Sequence, residues 1–119
     1  MSSDQWKSDW RNLYIHVPFC ASKCGYCAFY SETAAGSALR RNYLNAVKSF
    51  LQRIEFPVPV ESVYLGGGTP NFLSAGELAG LFESIRKYVP LSGSCEISCE
   101  LNPECMTLSK LSVLNEHAN

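Results

Sequence analysis

An apolar strand runs directly into three closely spaced cysteines in the stretch Leu13-Tyr-Ile-His-Val-Pro-Phe-Cys20-Ala-Ser-Lys-Cys24-Gly-Tyr-Cys27-Ala-Phe29. Cysteine binds soft metals as the thiolate, and spacings of three and two intervening residues let one loop surround a single metal centre. Structural zinc and the common iron–sulfur cubes use four protein ligands. Three thiolates on a four-iron cluster would leave one iron open, which favours a cluster that binds a small molecule.

Two other uses of these cysteines stay open on the residues alone. His16 lies four residues before Cys20 and could complete a zinc site, although it also alternates with Ile15 and Val17 as an ordinary strand residue would. The six cysteines of the chain could form disulfides in a secreted protein. Charged residues interrupt the first twelve positions, so we expect no signal peptide and a reducing, cytoplasmic setting in which thiols are available for metal.

The composition predicts one modest globular domain. The 119 residues are 46% hydrophobic and 18% charged, which is too apolar for a disordered chain. No run approaches the roughly 18 consecutive apolar residues of a membrane span, so we expect none. Ten basic and eleven acidic residues give a net charge of −1 without any block of like charge, so no nucleic-acid partner is predicted.

The hydrophobic periodicity predicts three strands that alternate with three helices. The strands are predicted at residues 13–17, 62–65 and 96–101. Helices are predicted to start near Ser37, after the capping box Ser74-Ala-Gly-Glu77, and after Thr107. Helices of this length can connect parallel strands, so the order predicts an α/β domain built as a doubly wound sheet or a barrel.

The unusual residues follow the carboxyl ends of these strands, where parallel α/β folds bind ligands. The cysteines come after the first strand, Gly66-Gly67-Gly68-Thr69-Pro70 follows the second, and Glu100 closes the third. The glycine turn lacks the residues of a P-loop and the spacing of a dinucleotide fold, so a phosphate site is not predicted. Glycines would instead let a ligand lie against the backbone, beside a Glu100 that either orients ligand hydroxyls or amines or is only a solvated strand end.

Three motifs follow one another along the chain: Tyr14-Ile-His-Val-Pro-Phe-Cys20-x3-Cys24-x-Tyr26-Cys27, Tyr64-Leu-Gly-Gly-Gly-Thr-Pro70 and Glu100-Leu-Asn-Pro-Glu104. Together they resemble the coproporphyrinogen-oxidase-like branch of the radical S-adenosylmethionine (SAM) superfamily. The resemblance implies a partial (β/α)6 TIM-like barrel, of which this chain would supply the N-terminal half as three βα units. It implies an N-terminal extension at residues 1–12 and an incomplete radical SAM core domain at residues 13–119, as the N-terminal part of a longer protein.

The resemblance also implies cofactors and the residues that bind them. A [4Fe–4S] cluster, with the amino and carboxyl groups of SAM on its open iron, would be held by Cys20, Cys24 and Cys27. The SAM contacts implied by motif position are Tyr14, Tyr26, Gly67, Gly68, Thr69 and Glu100, with the glycines and Thr69 at the methionyl end. Three further cysteines match no motif and are expected to be buried free thiols: Cys95, Cys99 and Cys105.

Two departures from the family pattern favour its haem-chaperone branch. The anaerobic coproporphyrinogen dehydrogenases usually carry a fourth cysteine where this chain has Phe29, and a longer segment before the cluster. Ala28, however, departs from the acidic residue common in the chaperones. We therefore expect a full-length protein that binds haem and passes it to an acceptor protein. The alternative is an oxygen-independent coproporphyrinogen III oxidase that decarboxylates porphyrinogen propionates, and an enzyme acting on RNA is a weaker third possibility that the charge balance disfavours.

Overall fold

The structure is a computed structural model that describes residues 10–20, 32–33 and 36–119. Its strands and helices, in chain order, are β1 (Asn12–Val17), β2 (Phe19–Cys20), β3 (Glu32–Thr33), α1 (Ser37–Arg53), β4 (Val60–Gly67), α2 (Ala75–Tyr88), β5 (Leu91–Cys99) and α3 (Leu108–His117). Short 3-10 helices at Pro70–Phe72 and Pro103–Cys105 follow β4 and β5. The predicted succession of three βα units is confirmed.

The main sheet has three parallel strands in the order β1-β4-β5. Tyr14 on β1 lies opposite Tyr64 on β4, which lies opposite Ser98 on β5. A separate two-stranded parallel sheet pairs β2 with β3, an element that the sequence pattern did not predict. Parallel pairing brings the carboxyl ends of β1, β4 and β5 to the same edge of the sheet, where the three predicted motifs follow.

The two faces of the main sheet differ because successive strand residues point in opposite directions. One face packs against all three helices, and its buried residues form a single cluster with Leu51 of α1, Phe82 of α2 and Leu114 of α3. The other face carries Tyr14 and Tyr64, which keep 54% and 42% of their surfaces exposed. The described part of the chain therefore has a covered apolar face and an open polar face.

The predicted helix starts agree with the structure. The side chain of Ser74 accepts a hydrogen bond from the Glu77 backbone N–H, and Glu77 Oε1 accepts one from the Ser74 N–H, which completes the capping box. Thr107 caps α3 by accepting from the N–H of Lys110. Within the described residues, no helix is both long and apolar enough to cross a membrane.

The unassigned cysteines correct one expectation. Cys95, Cys99 and Cys105 are free thiols as predicted, but each is only partly buried rather than enclosed in the core. Cys95 and Cys99 lie on β5, one of the two outer strands of the sheet that the described residues form, where fewer neighbours cover the helix-facing side chains. Edge position therefore explains their partial exposure.

Candidate metal and ligand site at the carboxyl edge of the sheet

The glycine turn extends the pairing of β4 with β1 as far as the first cysteine. The N–H of Gly68 donates to the carbonyl of Val17 at 2.9 Å, and the N–H of Thr69 donates to the carbonyl of Phe19 at 2.5 Å. Pro18, which has no N–H, lies between these two acceptors. These bonds hold the backbone directly before Cys20, whose side chain is buried at 7% exposure.

Close backbone contacts explain two of the glycines. Gly67 has a φ of +114°, a conformation that side chains rarely adopt, and a Cβ there would lie 2.6 Å from Nδ1 of His16. A Cβ on Gly68 would lie 2.5 Å from the carbonyl oxygen of Phe19. The space that a Cβ on Gly68 would take is therefore filled by the backbone that leads to Cys20, so this contact requires a glycine without any ligand.

Glu100 is held over the glycine turn by two donors. Its Oε1 accepts from the Gly67 N–H at 2.9 Å, and its Oε2 accepts from the Tyr64 hydroxyl at 3.0 Å. Its own N–H donates to the carbonyl of Leu65 and so continues the sheet pairing past the end of β5. The reading of Glu100 as only a solvated strand end is therefore wrong, because the carboxylate is oriented although the residue remains exposed.

Two tyrosines, Tyr14 and Tyr64, lie on the open face of the sheet beside the Glu100 carboxylate. The rings of Tyr14 and Tyr64 stack with centroids 5.9 Å apart and planes inclined by 17°, and the Tyr14 hydroxyl lies 3.1 Å from Nδ1 of His16. Partial burial and then the Glu100 charge raise the pKa of Tyr14, and the hydrogen bond to Glu100 is the main cause of a raised pKa at Tyr64. Both phenols therefore stay protonated at neutral pH and can act as donors.

A polar cavity of about 220 Å³ opens between the two loops that follow β4 and β5. Its lining consists of Gly67, Gly68, Thr69, Pro70, Glu100, Leu101 and Asn102. Four of these seven residues are SAM contacts implied by the motifs. The structure thus brings together the glycine turn and Glu100 around one space.

A buried amide holds the two walls of this cavity at a fixed separation. The side chain of Asn71 is completely buried, donates to the carbonyl of Asn102 at 2.8 Å and accepts from the N–H of Asn102 at 2.9 Å. The ammonium of Lys110 donates to the carbonyls of Asn71 and Cys105. These bonds join the loop after β4 to the loop after β5 and satisfy the buried polar groups between them.

Some predicted residues are placed by the structure and others are not. Tyr14 lies on the open face, and Cys20 lies directly behind the glycine turn, whereas Cys24, Tyr26 and Cys27 fall outside the described residues. Sequence reasoning missed Tyr64 and Asn71, and it considered His16 only as a zinc ligand or a strand residue. The alternation of β1 and β4 could have placed His16 and Tyr64 beside Tyr14, but no sequence signal marks Asn71.

The described residues have the donor chemistry that a cluster and an amino-acid-bearing ligand require. The Cys20 thiol lies at the entrance of the cysteine loop and is a soft ligand suited to iron–sulfur clusters. The cavity offers the Glu100 carboxylate, an acceptor for hydroxyl or ammonium groups. The described residues therefore supply one thiol of the kind that clusters use and one carboxylate acceptor, while Cys24 and Cys27 lie outside the described part.

Comparison with known proteins supports this assignment. The sequence model of the radical SAM superfamily matches residues 14–118. The chain is 39% identical over 98 residues to the heme chaperone HemW of Mycobacterium tuberculosis, covering 77% of this chain and 25% of that protein. It is also 39% identical over 97 residues to the anaerobilin synthase of Escherichia coli O157:H7, covering 76% of this chain and 21% of that protein.

The fold matches a solved structure as well. Coproporphyrinogen III oxidase (HemN) from Escherichia coli, described as a radical SAM enzyme, superposes with a TM-score of 0.82 at 25% identity, covering 92% of this chain and 26% of that one. The three βα units correspond to the N-terminal part of its TIM-like barrel. The chain spans about a quarter of the length of the curated relatives it matches. On its motifs, its fold and the family match, the chain belongs to the radical SAM superfamily.

Proposed function

We propose that residues 13–119 form the part of a radical SAM core domain that binds a [4Fe–4S] cluster and SAM, and that residues 1–12 are an extension to it. Superfamily membership implies both cofactors. When bound, they supply one-electron chemistry that side chains lack, while the protein supplies position and electrostatics. The observation that carries this proposal is the polar cavity between the glycine turn and Glu100, directly in front of the backbone that leads to Cys20.

Each proposed residue has a defined task in this site. Cys20, Cys24 and Cys27 are the cluster ligands, and the hydrogen bond from Thr69 to Phe19 fixes the backbone beside the first of them. SAM is proposed to bind on the open side, against residues 67–69, with Tyr14 and Tyr26 as further contacts. The Glu100 carboxylate, already oriented by two donors, keeps lone pairs with which to accept from ligand hydroxyl or amino groups.

For the whole protein we propose haem chaperoning, in which haem is bound and passed to an acceptor protein. Two observations support this function. Heme chaperones named HemW recur among the similar proteins, at 39% identity in Mycobacterium tuberculosis and 35% in Escherichia coli, although the anaerobilin synthase reaches the same 39%. The position after Ala28, where coproporphyrinogen dehydrogenases usually have a fourth cysteine, is Phe29. The cytoplasmic location expected from the cysteine chemistry stays a prediction.

The second candidate is an oxygen-independent coproporphyrinogen III oxidase. The structural match to HemN from Escherichia coli over 92% of this chain favours it. In that case the same cluster and SAM site would serve the oxidative decarboxylation of porphyrinogen propionates. The proposed cluster and SAM residues would serve either candidate, so binding of haem or of the porphyrinogen must separate them.

An anaerobic spectral titration of the reconstituted full-length protein separates the two functions. Haem and coproporphyrinogen III are each added with SAM, and the haem absorbance and the porphyrinogen product are followed. A chaperone should give a saturable haem spectrum and leave coproporphyrinogen unchanged. Conversion of coproporphyrinogen with release of carbon dioxide would favour the oxidase, and no response to either compound would overturn both.

A further inference from the structure

Tyr64 occupies the centre of the open face between two residues proposed to contact SAM. Its ring stacks on Tyr14 of β1, and its hydroxyl donates to Oε2 of Glu100 at 3.0 Å. In the sheet register it lies between Tyr14 and Ser98. Tyr64 is thus in contact with two of the proposed SAM contacts, Tyr14 on β1 and Glu100 directly after β5, although no role has been assigned to it so far.

The orientation of the Glu100 carboxylate depends on Tyr64. Glutamate has several rotatable bonds and loses much rotamer freedom when it is held in one place. The Gly67 N–H engages only Oε1, and a carboxylate with one fixed oxygen can still pivot about it. The Tyr64 hydroxyl engages the other oxygen and so removes that pivot.

The position of the Tyr64 hydroxyl is itself fixed from the other side of the sheet. Stacking against Tyr14 restricts the ring, and the Tyr14 hydroxyl lies 3.1 Å from Nδ1 of His16. A continuous set of contacts therefore runs from β1 to the residue after β5. The raised pKa of Tyr64, caused first by the hydrogen bond to Glu100, keeps the phenol protonated as a donor.

We propose that Tyr64 is a positioning residue, whose phenol holds the Glu100 carboxylate in the orientation that receives the amino or hydroxyl groups of the ligand. The inference rests on the proposed function, because it takes SAM as that ligand. Tyr64 is 42% exposed and lies outside the buried core, so removal of its hydroxyl should leave the fold intact. Removal of the Tyr64 hydroxyl should change SAM binding only through the orientation of the Glu100 carboxylate.

The test is anaerobic calorimetry of SAM binding to the cluster-loaded protein. Tyr64→Phe should weaken binding about tenfold, the size expected when a charge-assisted hydrogen bond that orients an acceptor is lost. Iron content and the urea midpoint should not change. Tyr88→Phe, which removes a phenol at the end of α2 far from the cavity, should bind SAM like the wild type.

A double-mutant cycle distinguishes positioning from a general structural effect. In a Glu100→Gln background, Tyr64→Phe should cause little further loss of SAM affinity. If Tyr64→Phe acted through a general structural effect, the losses of binding free energy in the two single variants would instead add up in the double variant. A second readout needs no SAM. In the near-ultraviolet titration of the phenols, Glu100→Gln should move the ionisations of both Tyr14 and Tyr64 to lower pH, and the ionisation of Tyr64 is the one that is missing in Tyr64→Phe.

The possible failures have different meanings. Wild-type protein that retains its cluster but binds no SAM would overturn the proposed function and this inference with it. Wild-type protein that binds SAM while Tyr64→Phe binds equally well would overturn the positioning role alone. The positioning role would also be overturned if the losses of SAM affinity in Tyr64→Phe and Glu100→Gln were fully additive in the double variant.

Discussion

Replacing Gly68 with alanine should damage the protein at the entrance to its cysteine loop. The new Cβ would lie 2.5 Å from the carbonyl oxygen of Phe19 and 3.0 Å from its carbonyl carbon, so backbone must move. Overpacking of this kind costs about 1–3 kcal/mol. The shift also threatens the bonds that Gly68 and Thr69 make to Val17 and Phe19, each with a net value of about 0.5–1.5 kcal/mol. Together these terms predict a loss of about 2–6 kcal/mol in the free energy of unfolding.

Urea unfolding and metal analysis would measure this effect. With a slope of about 1–3 kcal/mol per molar urea, the midpoint should fall by about 1 M or more, and iron retention should fall because Cys20 follows the displaced backbone. Gly80→Ala is the matched control: its Cβ meets no atom within 4 Å on α2, so stability should rise by about 0.5–1 kcal/mol. If Gly68→Ala kept its midpoint and its iron, the close approach to Phe19 would not constrain the site.

Three further outcomes follow from the described contacts. Asn71→Leu should lower the free energy of unfolding by about 2–4 kcal/mol, because the N–H and carbonyl of Asn102 lose their buried partner; an unchanged urea midpoint would contradict this. Burial raises the pKa of Cys99 to about 12, so near pH 8 iodoacetamide should modify this thiol at roughly a thousandth of the rate in unfolded protein. Mass spectrometry would measure both rates, and equal rates would refute the prediction. Burial alone would raise the pKa of Glu77, but hydrogen bonds from the helix cap and a neighbouring arginine outweigh it and hold the pKa below 4.5. Because the pKa of Glu77 is lower in the folded than in the unfolded protein, its carboxylate stabilises the fold above about pH 4.5, and this stabilisation is lost as the pH falls through the folded-state pKa. Glu77→Gln should therefore be less stable than the wild type at pH 7 and equally stable in strong acid. A difference in urea midpoint that stays constant with pH would argue against this.

Much of the fold is readable from the sequence because local signals and tertiary packing agree. The capping box at Ser74 and the cap at Thr107 satisfy backbone donors of their own helices, so these helix starts depend on nearby residues alone. The first strand was predicted within one residue of its observed bounds, Asn12–Val17. Alternation of buried and exposed side chains identifies such a strand wherever one face is covered.

The errors fall where pairing with distant residues decides the structure. β5 starts at Leu91 rather than near residue 96, although Ser92, Gly93 and Ser94 are poor strand formers, because Leu91 pairs with Val60 across the sheet. The pairing of β2 with β3 is likewise invisible to local periodicity. At the start of β5 and in the β2–β3 pair, contacts with distant residues outweigh the local strand propensity.

The site was predictable in outline but not in its internal contacts. The motifs indicated the glycine turn and Glu100, and the structure places them around one cavity. They could not indicate that Gly68 packs against the backbone of Phe19, or that Asn71 joins the two loops, because each contact links distant parts of the chain. The ligand roles of Cys24 and Cys27 stay predictions from the sequence.

Metal and sulfide analysis after anaerobic reconstitution distinguishes an iron–sulfur cluster from zinc, and only a cluster held by three thiolates would leave an iron open for SAM. Iron, zinc and acid-labile sulfide are measured on wild-type protein, with Cys24→Ser and Cys99→Ser as the paired variants. We expect about four iron and four sulfide per chain in the wild type and in Cys99→Ser, and none retained in Cys24→Ser. Stoichiometric zinc without acid-labile sulfide in the wild type would contradict it.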